Sequence, residues 1–296
     1  MKQLLTIGEL SKVEILDLIE EAIVIKNQGF KQTLKGKILA SCFFEPSTRT
    51  RLSFETAFKR LGGEVIGFSD DTNLSTKKGE TLFDSMKVIG SYSDIIVIRH
   101  PREGSAKQTA LATDKPVINA GDGKNEHPSQ TLLDLFTIQE CQGRLEGLNI
   151  ILAGDLLHGR TAHSLALGLK EFSPRFFFVS PSSLQMPQSI CDELRAAQVP
   201  FSFHESFDEV IKRADILYMT RLQKERISTD LSSSLVVNVE LLKHAQKHLK
   251  VLHPLPRVDE IETAVDETEH AYYFQQAENG IYMRAALLNK LLKGKE

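Results

Sequence analysis

Short runs rich in β-branched and aromatic residues alternate along this chain with stretches of helical period, and this alternation constrains the fold more than any other feature. Strand-like runs occur at Lys37 to Phe44, Glu64 to Phe68, Asp94 to Ile98 and Pro116 to Asn119. A second set follows at Leu148 to Ala153, Arg175 to Val179, Asp215 to Met219 and Lys250 to Leu252. Strands separated by helices argue for βαβ units, and so for the α/β class with open parallel sheets covered by helices on both faces. At 296 residues the chain exceeds the roughly 100 to 200 of a single domain, so two such domains are expected. The divide is placed near the helical segment Asp134 to Gln142, giving one domain over residues 1–133 and a second over 134–279. The amphipathic segment Ala285 to Leu292 has no strand after it. A C-terminal helix over about 280–296 is therefore expected to return to the first domain.

Ligands of open α/β sheets collect beyond the carboxyl ends of the strands. After the first strand comes Ser47-Thr48-Arg49-Thr50-Arg51, and Phe54, Ala57, Phe58 and Leu61 then recur at helical spacing. A helix start offers unpaired N–H groups and the positive end of a dipole, so hydroxyls and a guanidinium added there make a cradle for phosphate. The same Pro46-Ser47 pair is also an ordinary helix start, with the hydroxyl acting only as a cap.

The other strand ends carry polar groups as well. They are Arg99-His100-Pro101, then Gly121-Asp122-Gly123 with His127-Pro128-Ser129-Gln130 leading into a helix over Thr131 to Gln142, and Gly154-Asp155 with Gly159-Arg160-Thr161. Further along are Thr220-Arg221-Leu222-Gln223-Lys224 and His253-Pro254-Leu255-Pro256-Arg257. Paired prolines remove backbone donors and leave carbonyls that can accept from an amine. The loop Ser75-Thr76-Lys77-Lys78-Gly79-Glu80-Thr81 reads as a solvated face or as a distant supplement to an anion site.

A formal net charge of −3 gives no general attraction to nucleic acid or to an anionic membrane, so any basic site is local. Cys42, Cys141 and Cys191 have no paired spacing for a disulfide framework or a zinc site, which points to a reducing, cytoplasmic setting and to no metal. No signal-peptide core is expected at the N-terminal end, and no apolar run approaches the roughly 18 residues of a membrane span. The stretch from Leu148 to Ser164 has a strand, a glycine turn and a helix start but not the G-x-G-x-x-G spacing, so a nicotinamide cofactor is not supported. No cofactor is expected.

Taken in order, Ser47-Thr48-Arg49-Thr50, Arg99-His100-Pro101, His127-Pro128-Ser129-Gln130, Gly159-Arg160-Thr161, Arg221-Leu222-Gln223 and His253-Pro254-Leu255-Pro256 resemble the aspartate/ornithine carbamoyltransferase family over almost the whole chain. Arg221-x-Gln223 and the His-Pro-Leu-Pro loop resemble the catalytic chains of its aspartate branch, because the ornithine branch characteristically has His-Cys-Leu-Pro and Ser-Met-Gly.

The resemblance implies a carbamoyl-phosphate domain followed by an aspartate domain, with transfer of the carbamoyl group to the amine of L-aspartate early in pyrimidine biosynthesis. It implies that Ser47, Thr48, Arg49, Thr50, Arg99, His127, Gln130, Pro254 and Leu255 bind carbamoyl phosphate. Arg160, Arg221 and Gln223 would take the aspartate carboxylates. It also implies a homotrimer with shared sites, in which Ser75 and Lys78 reach the neighbouring subunit's carbamoyl phosphate and Lys78 also meets aspartate. Arg49, Thr50, Lys78, Arg99 and His127 are the expected catalytic groups. The Tyr-Phe-Gln-Gln-Ala stretch is similar to that of chains that join a regulatory partner. The alternatives are a carbamoyltransferase for ornithine or another amino acid, and an inactive binding relative.

Overall fold

The described strands all pair in parallel, and they form two sheets in two separate units. The computed structural model describes residues 1–69, 79–221 and 235–293, so Ser75, Lys78 and Gln223 lie outside the described residues. One unit comprises Met1–Phe136 with Glu278–Glu296, and the other Thr137–Ala277.

In the first unit β1 (Ile38–Phe43), β2 (Glu64–Phe68), β3 (Ile95–His100) and β4 (Val117–Asp122) stand in the order β2-β1-β3-β4. Apart from Ile38 at its start, β1 is buried throughout, as a strand covered on both faces must be. Its even-numbered side chains Ala40 and Cys42 pack with Ile96 and Ile98 of β3 against Leu82 and Met86 of α3 (Leu82–Tyr92) and Ala106 of α4 (Ser105–Ala112). On the opposite face Ser41 Oγ donates to Glu55 of α2 (Thr48–Arg60) at 3.0 Å. The period of two sends alternate residues to opposite helical layers.

Helix α1 (Lys12–Gln28) opens with a complete capping box of Ser11 and Glu14. The C-terminal helix (Tyr273–Lys293) returns to this unit from Glu278 onward. There Lys26 Nζ donates to Asn279 Oδ1 at 2.8 Å, and Asn289 accepts from Thr33 at 2.6 Å and donates to Glu21 at 3.0 Å. No described helix is long and apolar enough to cross a membrane.

The second unit holds β5 (Asn149–Ala153), β6 (Arg175–Val179), β7 (Phe201–His204), β8 (Ile216–Met219) and β9 (Lys250–Leu252), in the order β7-β6-β5-β8-β9. Its core includes Ile151, Phe177, Leu217, Val251 and Tyr273.

Several elements differ from the sequence reading. Strand β7 was not anticipated: it is four residues long, forms the sheet edge and leaves Phe203 48% exposed, so it carries little apolar pattern. Arg99 and His100 are not beyond β3 but its last two residues, and Gly121 and Asp122 close β4, because pairing outlasts the apolar run. Helix α5 (Pro128–Gln142) starts three residues before Thr131, with proline in its first position. The C-terminal helix begins at Tyr273, ahead of the expected start at about 280. Its early turns bury hydrogen-bonded Gln276 and Asn279, which hydrophobic spacing does not register.

Strand order decides where each unit can bind. In the first sheet the order reverses between β1 and β3, and in the second between β5 and β8. A crevice opens outside the carboxyl ends at such a reversal. The second one depends on a glycine: Gly154, at φ +111°, lets Thr220 reach back, donating both its N–H and its hydroxyl to Ala153 O at 2.8 and 2.9 Å. A Cβ on Gly154 would stand 2.4 Å from Thr220 O. Gly154→Ala is therefore expected to cost about 1 to 3 kcal/mol, read as a lowered urea midpoint. Gly29→Ala, strained in φ alone with open space around it, should cost less.

Candidate active site

At the first reversal, β1 runs into α2 and β3 ends in Arg99. Phe43 pairs in register with Arg99, and Phe44 N–H donates to Arg99 O at 2.8 Å, which places Arg99 beside the segment leading to Ser47. Ser47 is the N-cap residue of α2, yet its side chain makes no capping hydrogen bond. The first intrahelical bond is Arg51 N–H to Ser47 O at 3.1 Å, so the N–H groups of Thr48, Arg49 and Thr50 precede it. Thr50 is buried and Arg49 exposed, and no carboxylate among the described residues pairs with Arg49. Arg99 is largely buried, with Nε 2.8 Å from Glu45 Oε1 and Nη1 donating to Ala120 O at 3.4 Å. Two guanidiniums and a helix N-terminus at one sheet edge make this a candidate anion site.

The loop after β4 is built around Asp122. Its carboxylate accepts from Asn119 Nδ2 at 2.9 Å, Gly104 N–H at 3.0 Å and Glu126 N–H at 3.3 Å. The loop delivers His127, 4% exposed, to the start of α5, where Ser129 Oγ lies 3.3 Å from its Nδ1. Gln130 Nε2 donates to Asp134 Oδ1 at 2.9 Å. An ionised carboxylate only accepts, so this bond fixes the amide with its nitrogen toward Asp134 and its oxygen available as an acceptor.

Asp134 lies in turn in the field of Arg284, a guanidinium buried on the C-terminal helix. Burial pulls the pKa of Arg284 down to about 9 against the attraction of Asp134. Arg284 also donates to Ser53 Oγ and stacks 4.9 Å from the centre of the Phe54 ring, both on α2.

At the second reversal, Asp155 follows β5 and accepts from His158 N–H at 3.0 Å. Gly159 approaches Asp155 O so closely that a Cβ would stand 2.5 Å from it. This tight turn opens α6 (Arg160–Leu169), whose first residue, Arg160, is half-buried. Arg221 lies two residues beyond the end of β8, after Thr220, and is exposed. Pro254 and Leu255, both half-buried, lie just beyond β9.

The expected residues thus form two groups. Ser47, Thr48, Arg49, Thr50, Arg99, His127 and Gln130 gather at the carboxyl edge of the first sheet. Arg160, Arg221, Pro254 and Leu255 stand at that of the second. The sequence reading missed Glu45, Asp122, Asp134 and Glu260. Glu45 adjoins Pro46-Ser47, and Asp134 is four residues after Gln130 on one helix, a spacing at which side chains meet. No nucleophilic thiol accompanies them, since burial pushes Cys42 and Cys141 up to about 12.

Comparison with known proteins agrees with this architecture. Residues 2–140 match the aspartate/ornithine carbamoyltransferase carbamoyl-P binding domain, and residues 146–291 the Asp/Orn binding domain of the same family. The chain is 52% identical over 295 residues to the aspartate carbamoyltransferase catalytic subunit of Chromobacterium violaceum, covering 98% of each. The solved catalytic subunit of M. jannaschii aspartate transcarbamoylase superposes with a TM-score of 0.94 at 45% identity, covering 100% of this chain and 99% of that one. Aspartate transcarbamoylase from Trypanosoma cruzi in complex with N-(phosphonacetyl)-L-aspartic acid gives a TM-score of 0.93 at 38% identity, covering 98% and 96%. The fold is that of a carbamoyl-transferring enzyme. The chain belongs to the aspartate/ornithine carbamoyltransferase family, and its similarity runs to the aspartate enzymes.

The idle hydroxyl of Ser47 separates a cap from a ligand. A working cap costs about 0.5 to 2 kcal/mol when truncated, whereas Ser47→Ala should stay within about 0.5 kcal/mol in urea unfolding. Inorganic phosphate, measured by calorimetry, is expected to bind the variant several-fold more weakly.

Proposed function

We propose that the chain carbamoylates L-aspartate, giving N-carbamoyl-L-aspartate and phosphate. The carrying observation is that each sheet ends its order reversal with two arginines, Arg49 and Arg99 in one unit and Arg160 and Arg221 in the other. Two polyanionic substrates need such a pair of sites.

In this reading the N–H groups and hydroxyls at the start of α2 hold the phosphate of carbamoyl phosphate, joined by the guanidiniums of Arg49 and Arg99. Ser75 and Lys78 of a neighbouring subunit complete that site in a homotrimer, and Lys78 also meets aspartate. Glu45, now paired with Arg99, is the carboxylate that phosphate must outcompete. Arg160 and Arg221, with Gln223, take the two aspartate carboxylates, for which a planar guanidinium fork is better suited than an ammonium.

The deprotonated amine of aspartate attacks the carbonyl carbon, a C–N bond forms, and the C–O bond to phosphate breaks with the electron pair leaving on phosphate. The carbonyl oxygen gains negative charge on the way. Donors from His127, Thr50 and Arg99 stabilise that oxyanion more than the ground-state carbonyl. This role needs the His127 proton on Nε2, the tautomer in which Ser129 Oγ donates to Nδ1. The oxygen of Gln130 and the carbonyls of Pro254 and Leu255 accept from the carbamoyl NH2. The departing phosphate takes the amine's proton, since it leaves beside the nucleophile and none of the named site groups is a carboxylate placed for that task. The setting is the cytoplasm and the pathway that of pyrimidines. A regulatory chain is a further partner consistent with the C-terminal helix sequence.

Carbamoyl phosphate with aspartate should give product, and carbamoyl phosphate with ornithine should give none above background. An ornithine preference would overturn the reading. His127→Ala is expected to lower kcat by about 100- to 1,000-fold, the loss of one oxyanion donor. The ionisation in its pH–rate profile should survive; its disappearance would make His127 the base instead. Native mass measurement should return three times the chain mass of 33.2 kDa.

A further inference from the structure

We infer that His253 and Glu260 form a buried positioning pair that aims the carbonyls of Pro254 and Leu255 at the carbamoyl NH2. The inference rests on the reading above that these two carbonyls accept from that group.

Both side chains are almost wholly enclosed, 1% and 0% exposed, and His253 Nε2 lies 2.8 Å from Glu260 Oε1. The ring's other nitrogen settles the proton. Leu255 N–H donates to His253 Nδ1 at 2.7 Å, so Nδ1 carries no hydrogen and the neutral ring must donate from Nε2 to the carboxylate. Glu260 also accepts the N–H groups of Val258 and Asp259, both at 3.1 Å. Burial raises the Glu260 pKa, but the hydrogen bonds from His253 and from nearby backbone outweigh it and hold the carboxyl below its usual range. The backbone N–H of His253 is fixed in turn by Gln276 Oε1 at 2.8 Å.

This network is built from N–H groups of the loop and uses neither the Pro254 nor the Leu255 carbonyl. The N–H groups of residues 253, 255, 258 and 259 all end on His253, Glu260 or Gln276, while Pro254 and Pro256 have no N–H to offer. What Pro254 and Leu255 can still present from the backbone is their carbonyls. Leu255 is held at φ +57°, a left-handed conformation costly for a branched side chain. Such strain persists where surrounding bonds over-determine it, and the Leu255 N–H to His253 Nδ1 bond is placed to do so. A histidine at position 253 is thereby explained by what its two nitrogens do, neither of which touches substrate.

Acetyl phosphate tests the pair, because it replaces the carbamoyl NH2 by a methyl group and keeps the phosphate and carbonyl. The protein should bind carbamoyl phosphate more tightly than acetyl phosphate, measured as competitive inhibition by the latter. In His253→Ala this preference is expected to shrink about 3- to 10-fold, the loss of one well-placed hydrogen bond, with acetyl phosphate binding little changed. It should not vanish, because Gln130 remains. His253→Asn, whose side-chain oxygen can accept the N–H two residues on, should restore much of the preference. Glu260→Gln, which keeps shape and removes charge, should weaken it as well, and it decides the matter if His253→Ala does not fold.

A general loss of folding would lower binding of both phosphates alike and give no rescue by asparagine, which would overturn the proposal. Variants that discriminate as well as the parent, in a parent that does discriminate, would overturn it alone. A parent that binds both phosphates equally would overturn the assignment of the two carbonyls, and the proposal with it.

Discussion

Parallel strand pairing is the constraint from which the rest of the structure follows. A parallel sheet sends every carboxyl end to the same edge, and each strand must be regained by a crossover, so helices come to cover both faces. Polar residues placed after strands are then brought together without being near in sequence. Arg49 and Arg99 are 50 positions apart but flank one β1–β3 reversal, and Arg160 and Arg221 flank the β5–β8 reversal in the same way. The chemistry of the chain is a consequence of strand order, because a different order with the same strands would separate each pair.

The fold was legible in sequence where burial writes itself into composition. Strands β1, β3, β5 and β8 lie inside their sheets and must be apolar on both faces, so they show as continuous runs. β7 escapes notice because an edge strand needs no such run. The start of the C-terminal helix escapes for a related reason: Gln276 and Asn279 are buried through hydrogen bonds, and a periodicity of apolar residues does not record them. Arg99 marks the same boundary from the other side, being a charged residue still paired within β3.

The site was legible where it uses backbone N–H groups at a helix start and less so where it uses buried carboxylates. Ser47 to Thr50 announce a helix N-terminus by residue type alone. Asp122, Asp134 and Glu260 touch no expected substrate atom. Asp122 and Glu260 each accept several donors and Asp134 accepts the Gln130 amide, so they determine where a loop or an amide points. A carboxylate is suited to that task because it has about four acceptor sites and no donor, so its partners have only one orientation available. Residues of this kind are invisible to spacing, since their partners are fixed by the three-dimensional path of the chain.

Arg284 shows what such ordering costs and why it is retained. Its guanidinium is enclosed, and burial draws its pKa down to about 9, so at neutral pH a charge still sits in the first unit beside Asp134. Burying a charge costs stability, so stability alone gives no reason for keeping it. Its contacts give one. Through Ser53 and Phe54 it grips α2, whose first turn is the proposed anion site, and its charge acts on Asp134, the carboxylate that orients Gln130 on α5. A cation at this point ties the start of α2 to the start of α5. An apolar side chain would fill the space without specifying the direction.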